Sequence, residues 1–291
     1  MVIQRRLPVW MKVPMPGGPV YTDLKKKLKS AKLHTVCEEA MCPNIGDCWE
    51  RKTATFMILG DICTRACSYC AVSTGMPTGL DLDEPNRLAE TVEKLGLKYA
   101  VITSVNRDDL PDGGSFIFSQ CIKKIRIKLP NCKVEVLIPD FCGNWDSLKR
   151  VIDAKPDTLN HNIETVERIF HRIRAKGDYK LSLELLERTK KLSPQMVTKS
   201  GIMVGLGETL DEITQTMKNL RSVGCNLLTI GQYLRPSKKH IALAKWYTPV
   251  EFQELSEIAL DLGFDNVASG PLVRSSYHAD EQHESVLTKV K

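Results

Sequence analysis

From about residue 53 onward, apolar positions fall into short runs separated by longer stretches with helical spacing. The runs 55–60 (TFMILG), 99–104 (YAVITS), 133–138 (KVEVLI), 157–162 (DTLNHN), 200–205 (SGIMVG) and 226–231 (NLLTIG), with a weaker one at 265–268, predict strands. Helical patterns fill 84–96, 115–128, 145–154, 164–174, 180–192, 209–223 and 249–262. Alternating units of this length predict an α/β fold with a parallel sheet and outer helices, and six or seven of them suit a barrel or partial barrel. In such a fold functional groups gather where strands end. Polar residues follow most of the predicted strands: Ser104, Asn106, Arg107, Asp108 and Asp109 after the second, Asp140 after the third, Asn162 and Glu164 around the fourth. Glu208 follows the fifth, and Gln232 and Arg235 the sixth. Most are expected as loop polarity or helix caps, and some to line a common cavity.

Cysteine spacing changes the picture from fold to chemistry. Six of the ten cysteines form two clusters, Cys37, Cys42, Cys48 and Cys63, Cys67, Cys70, each offering three thiolates rather than four. A four-ligand site usually serves structure, whereas three ligands leave a coordination position open for chemistry. The second cluster, in GDICTRACSYC, directly follows the first predicted strand. Three thiolates on one short loop suit three irons of a [4Fe–4S] cubane, leaving the fourth iron for a bidentate small molecule. Zinc would want a fourth ligand, and the nearest histidine in sequence, His34, belongs beside the first cluster. Cys121, Cys132, Cys142 and Cys225 are scattered and are expected as small buried apolar residues.

The 291 residues are 42% hydrophobic and 26% charged, enough for one large α/β domain. No apolar run reaches the roughly 18 residues that a membrane span needs, and no secretory segment is recognisable, so a cytoplasmic, reducing setting is expected. There clustered cysteines serve as metal ligands more often than as disulfides. The net charge of +6 is concentrated early: Arg5, Arg6, Lys12, Lys25, Lys26, Lys27, Lys29 and Lys32 face only Asp23. Such an arm is either a solvated segment or a docking site for an acidic partner. Pro8, Pro14, Pro16 and Pro19 argue against an amphipathic transit helix. VGLGET (204–209) lacks the Lys-Ser/Thr of a phosphate loop.

Cys-x3-Cys-x2-Cys after the first strand of a β/α barrel resembles the radical S-adenosylmethionine superfamily. The first cysteine motif narrows the resemblance. Together with Pro8-x-Trp10-x-Lys12, VITSVNRDDLPDGG (101–114), HNIETV (161–166), VGLGET, GQYLRPS (231–237) and RSSYHAD (274–280), it resembles the lipoyl synthase family from about residue 8 to 280. Ala175-Lys176-Gly177 departs from the usual Pro-Gly-Ala, and Tyr69 and Asn106 stand where Phe and Asp are usual.

The resemblance implies a partial (β/α)6-type radical barrel over 53–270. An N-terminal extension, 1–52, would carry the auxiliary-cluster cysteines, and a C-terminal tail, 271–291, would join it in closing the barrel mouth. It implies two [4Fe–4S] clusters and S-adenosylmethionine. Cys63, Cys67 and Cys70 would hold the radical cluster, whose open iron chelates S-adenosylmethionine and whose electron yields methionine and a 5′-deoxyadenosyl radical. Cys37, Cys42 and Cys48 would hold an auxiliary cluster with a serine of the RSSY motif as fourth ligand. Spacing cannot choose between Ser275 and Ser276, and the family pattern points to Ser276. A hard serine alkoxide is easily reprotonated, which suits a ligand made to leave. Sulfides of that cluster would enter C6 and C8 of a protein-bound octanoyl-lysine, two S-adenosylmethionines being cleaved per lipoyl group. Asn162, Glu164, Arg174 and Ser104 are the candidate S-adenosylmethionine contacts.

Expected partners are octanoylated lipoyl-carrier domains of 2-oxoacid dehydrogenase E2 subunits or glycine-cleavage H protein, and an electron donor such as ferredoxin or flavodoxin, with no nucleic acid and no membrane. A transfer-RNA methylthiotransferase would also pair two clusters. It would space its auxiliary cysteines widely on a separate domain and add a small β-domain after the barrel. An iron–sulfur electron carrier would close both cubanes with four cysteines.

Overall fold

The computed structural model describes residues 7–13, 16–31, 33–39, 42–50 and 53–289. Arg5, Arg6 and Lys32 of the basic arm lie outside them. Among the described residues the arm's charges are partly answered, Lys27 by Asp23 at 2.8 Å and Lys25 by Glu38 at 3.6 Å.

The chain forms two compact units. One comprises Pro14–Arg65 and Ala71–Asn160, and the other the segment through Val13, Ala66–Cys70 and everything from His161. In the first, the described elements are α1 (Pro19–Ser30), β1 (His34–Thr35), α2 (Val36–Glu39), α3 (Ile45–Glu50), β2 (Thr55–Ile58), β3 (Ile62–Cys63), β4 (Ser73–Thr74), α4 (Glu84–Leu95), β5 (Tyr99–Ser104), α5 (Ser115–Lys128), β6 (Lys133–Leu137), α6 (Trp145–Asp153) and β7 (Thr158–Asn160). The strand order is β1-β2-β5-β6-β7, parallel except for β1. The short pair β3-β4 stands apart. The second unit carries α7 (Glu167–Ile173), α8 (Tyr179–Leu192), β8 (Val197–Val204), α9 (Leu210–Ser222), β9 (Leu227–Gln232), α10 (Pro249–Asp261), β10 (Asn266–Gly270) and α11 (Ala279–Lys289), with β8, β9 and β10 parallel.

Each predicted strand and helix from residue 55 to 262 is present. Parallel strands covered on both faces read as continuous apolar runs, and β2 and β9 are buried at every position. Helix starts follow local chemistry. Thr209 with Glu212 and Thr248 with Glu251 form capping boxes, and Asn144 and Asp178 accept from the backbone amides of Ser147 and Leu181.

One boundary moves. The pattern predicts a helix from 164, but α7 begins at Glu167, because Glu164 still pairs with β8: its amide donates to Gly201 O at 2.9 Å and its carbonyl accepts from Met203 at 2.8 Å. The lysine-rich stretch that reads as a charge run is helix α1, opened by Pro19 in the first turn, where a missing N–H costs nothing. It buries Leu24 and Leu28, four residues apart on one face. The tail helix α11 was also not legible as a periodic segment.

The segment after β10 packs on β9 without an intervening side chain. A Cβ built at Gly231 would lie 2.2 Å from the Val273 carbonyl oxygen, a backbone atom that cannot swing away. Gly231→Ala is expected to destabilise the protein by about 1–3 kcal/mol, and to raise hydrogen exchange selectively in the RSSY turn and α11, read by denaturant titration and peptide-resolved exchange.

Candidate active site

Leu59 and Gly60, at φ 69° and 88°, turn the chain out of β2 into the cysteine loop. The base of that loop is closed by β3 pairing with β4 and by Gly75 N–H donating to Cys63 O at 3.0 Å. Cys63 Sγ accepts backbone N–H bonds from Arg65 at 3.4 Å and Asn106 at 3.3 Å. Two backbone amides thus converge on this one sulfur and fix its position at the base of the loop. Thr64 completes the seam: its N–H and hydroxyl both donate to Asn106 O at 3.0 Å, and its oxygen accepts from Asp108 N–H at 3.0 Å.

Arg65 is 2% exposed and sits between two carboxylates. It reaches Asp140 at 2.6 and 2.7 Å and Asp108 at 2.8, 3.0 and 3.1 Å. Burial alone would loosen its proton, but hydrogen bonds to Asp140 and Asp108 outweigh that and hold it charged. Cys142 joins this group. Its sulfur accepts from Arg65 at 3.2 Å and its S–H donates to Asp108 at 3.4 Å, from a left-handed turn at φ 52°. The expectation that Cys142 is a buried apolar residue is therefore corrected: it is exposed, because the turn after Asp140 lifts it from the core, whereas Cys121, Cys132 and Cys225 are buried. The neighbouring Arg107 holds Asp109 at 2.8 Å and Leu59 O at 3.3 Å. Asp112 accepts from Gly114 N, Phe116 N, Ser115 Oγ and Arg150, so the PDGG part of the motif shapes the start of α5.

In the second unit, Ser68 is clamped to the end of α7 through Ile173 O at 3.0 Å and Arg172 O at 2.9 Å, and its carbonyl accepts from Ile241. Cys70 N–H bonds Cys67 O at 3.1 Å, and Cys70 O meets His240 Nε2 at 3.0 Å. Between these cysteines lies Tyr69, which with Asn162 is near the Glu164 carboxyl. Glu164 adopts φ +70°, a conformation disfavoured for a residue with a side chain. Burial pushes its pKa up, against the pull of Arg174, Asn162 and Tyr69. Arg174 donates through Nη1 to Asn162 O at 2.8 Å and lies 3.3 Å from His161 Nε2. The departure after it has a structural reading. Lys176 takes φ +58° where the family pattern has glycine, and a Cβ at Gly177 would come within 2.8 Å of Arg174 Cγ.

Cys37, Cys42 and Cys48 lie on and between α2 and α3, with Cys42 N–H bonded to Cys37 O at 3.0 Å and Cys42 O accepting from Ile45 at 3.3 Å. Burial pushes the Cys37 thiol up to about 11, Thr55 N–H pulling it back and Cys42 adding to the rise. Ser275 and Ser276 are half-buried in the turn between β10 and α11, a turn closed by Tyr277 N–H on Arg274 O at 2.9 Å.

Among the described residues the ten cysteines are thiols and no three His, Cys, Asp or Glu side chains converge to hold a single metal ion. A cubane asks for something else, one thiolate at each of three corner irons. Three observations fit bound groups: the amide donors on Cys63, the partnerless buried Trp49 Nε1, and partnerless buried oxygens at strand ends, Ser104 Oγ and Asn106 Oδ1 in one unit and Asn162 Oδ1 in the other.

Residues 57–220 match the radical SAM superfamily, and residues 2–42 match the N-terminal domain of lipoyl synthase. A lipoyl synthase of Rubrobacter xylanophilus is 57% identical over 277 residues, covering 95% of this chain and 86% of the relative. The chain belongs to the lipoyl synthase family. A second relative, the lipoyl synthase of Halalkalibacterium halodurans, is 57% identical over 278 residues, 95% of this chain and 92% of its own. Among solved structures, methylornithine synthase is 12% identical with a TM-score of 0.54 over 87% of this chain and 83% of its own. Coproporphyrinogen III oxidase from Escherichia coli, a radical SAM enzyme, is 13% identical with a TM-score of 0.51 over 71% and 52%. These likenesses carry the α/β fold with a mostly parallel sheet that is expected from the sequence. No helix among the described residues is long and apolar enough to cross a membrane.

Of the sequence candidates, Asn162, Glu164 and Arg174 come together in one unit, while Cys63 and Ser104 belong to the other. Sequence reasoning missed the Arg65–Asp108–Asp140 clamp. Its only signal was an arginine inside the cysteine motif and aspartates at two predicted strand ends. Gln232, by contrast, spends its amide on Val204 O, Lys245 O and Tyr247 N–H, and Glu208 closes its own loop on Gly205 and Leu206 N–H.

Arg65→Ala leaves two carboxylates without their counter-charge and is expected to cost about 3–5 kcal/mol, with Arg65→Lys intermediate because a single ammonium cannot make both forks. Denaturant midpoints of the three proteins measure this. For Glu164 the folded pKa lies above the ordinary 4.5. Its contribution is fully present below that value and is lost as pH rises through the raised one. The stability difference between wild type and Glu164→Gln should therefore shift against wild type with rising pH across that window, and a flat difference would refute it.

Proposed function

We propose that this chain makes the lipoyl group by inserting two sulfur atoms at C6 and C8 of an octanoyl chain borne on a lysine of a lipoyl-carrier domain. The observation that carries the reading is the pair of three-cysteine motifs in a chain 57% identical to a lipoyl synthase over 95% of its length. Cys63, Cys67 and Cys70 would hold one [4Fe–4S] cluster, to supply the electron for cleaving S-adenosylmethionine, and Cys37, Cys42, Cys48 and Ser276 a second, to supply the inserted sulfur.

The chain's own groups orient and protect. The amides of Arg65 and Asn106 donate to the Cys63 sulfur and fix its position. The clamp on Arg65 fixes where those amides point. Glu164, near Tyr69 and Asn162, offers a carboxyl group for ribose hydroxyls. Arg174, with Nη1 committed to the Asn162 carbonyl, pairs its remaining N–H groups with the methionine carboxylate. Ser104 Oγ and Asn162 Oδ1 are buried polar atoms whose bonds S-adenosylmethionine would complete. Ser276 in its half-buried turn supplies an oxygen ligand that a proton can release. Octanoylated carrier domains of 2-oxoacid dehydrogenases or of the glycine-cleavage system supply the substrate, and ferredoxin or flavodoxin the electron, in the cytoplasm.

The test is an anaerobic turnover with dithionite, S-adenosylmethionine and an octanoyl-lysyl peptide, read by mass spectrometry, with iron and sulfide counted before and after. Expected are a gain of two sulfurs per peptide, two deoxyadenosines and loss of one cluster. Cys37→Ala should still form deoxyadenosine without inserting sulfur, and Cys63→Ala should form none. Deoxyadenosine from the wild type without sulfur insertion would point to another substrate. If the basic arm steers the carrier, kcat/KM on an intact octanoylated carrier falls with ionic strength; an unchanged value removes the arm from docking.

A further inference from the structure

We infer that the strip Ala66–Cys70 is the electron-entry face of the chain, and that Lys238, Lys239 and Arg172 beside it dock a small one-electron carrier protein with an acidic face. This rests on the reading that Cys63, Cys67 and Cys70 hold the radical cluster. Residues 231–247 contain Arg235, Lys238, Lys239 and Lys245 but no Asp or Glu. Lys245 is answered by Glu251 at 2.5 Å. Lys238, Lys239 and Arg172 are exposed and make no ion pair among the described residues. Of the nearest acidic residues in sequence, Asp178 is spent capping α8, and Glu167 stands at the other end of α7 from Arg172. In the strip itself Ala66 is exposed and Cys67, Ser68, Tyr69 and Cys70 are half-buried, so a partner can approach it.

The loop after β9 holds the backbone that carries the two lysines. Arg235 donates Nε to His240 O at 2.9 Å and Nη2 to Lys238 O at 2.6 Å, and His240 N–H closes on Ser237 O at 3.1 Å. The Tyr233 hydroxyl donates to Ile241 O at 2.9 Å. This closed turn is fastened to the cysteine strip. His240 Nε2 lies 3.0 Å from Cys70 O, and because a carbonyl only accepts, Nε2 carries a proton. Ile241 N–H donates to Ser68 O at 2.9 Å. Ser68 in turn donates its N–H to Ile173 O at 3.0 Å and its hydroxyl to Arg172 O at 2.9 Å. One serine therefore ties the strip to both basic segments.

Reductive cleavage of S-adenosylmethionine consumes one electron from outside the chain. In the transfer the donor is oxidised by one electron and the cluster reduced by one, and no bond forms or breaks. Redox encounters of this kind bury little surface, so a few fixed charges beside an accessible strip suffice to steer an oppositely charged partner. The bonds from the basic loop run to Ser68 and Cys70, in the loop that serves the electron-accepting cluster. That placement favours an electron carrier over the octanoylated carrier as the occupant.

The experiment uses the cluster-loaded full chain carrying Lys238→Glu and Lys239→Glu together. A control carries the same change of charge at Lys180 and Lys218, exposed lysines of the same unit. Affinity for a fluorescently labelled acidic flavodoxin is read by anisotropy at low and high salt, and deoxyadenosine formation is driven either by reduced flavodoxin or by dithionite. The Lys238 and Lys239 pair is expected to weaken flavodoxin binding and flavodoxin-driven kcat/KM on the order of 10-fold at low ionic strength, with the gap closing at high salt. Arg172→Glu should deepen the loss, while dithionite-driven turnover and the control pair stay at the parent level. Unchanged flavodoxin affinity, or an equal loss in the control, would overturn the docking site. An equal loss with dithionite would overturn it in favour of a support role for the cysteine loop, and a loss confined to binding of the octanoylated carrier would make that protein the occupant instead. A parent that forms no deoxyadenosine with dithionite overturns the radical-cluster reading, and this inference with it.

Discussion

A guanidinium removed from water must have its charge answered inside the protein, and Arg65 is the place where this constraint organises the first unit. Its two counter-charges come from different loops, Asp108 after β5 and Asp140 after β6, so one side chain ties the cysteine loop to two strand ends. A buried ion pair contributes little net stability compared with apolar packing. What it contributes here is position. Two forked contacts hold the guanidinium plane, and the backbone amide of the same residue donates to Cys63 sulfur. Asn106, bonded on both sides to the Thr64 seam, supplies the second amide.

The second unit reaches comparable order by another route, through backbone conformations that side chains normally avoid. Glu164 is held at φ +70° by two backbone bonds to β8. Gly201 makes room beside it, since a Cβ there would stand 2.8 Å from both Asn162 Oδ1 and Thr229 Oγ1. Strain of this kind persists only where the surroundings over-determine it, and it clusters at functional sites.

The periodic part of the fold was legible because parallel strands buried on both faces leave unbroken apolar runs and the helices between them carry ordinary caps. What the sequence hid was aperiodic. Helix α7 starts late because Glu164 stays with β8, and α1 disguises two core leucines among lysines. The cysteine motifs were legible because ligand spacing is a local property. The Arg65 clamp was not, since residues 65, 108 and 140 are brought together only by the return of two strands. Cys142 misled for a related reason: composition favours burial of a lone cysteine, but the left-handed turn after Asp140 decides otherwise.

The contact between Gly231 and the Val273 carbonyl is backbone against backbone. Its spacing therefore does not depend on which side chains the neighbouring tail residues carry. Sequence drift at positions 271–273 could alter packing around the turn without sliding Ser275 and Ser276 along β9, provided residue 231 remains without a side chain. The register of the tail is in this sense encoded by a single missing methyl group, several dozen residues upstream of the serines it locates.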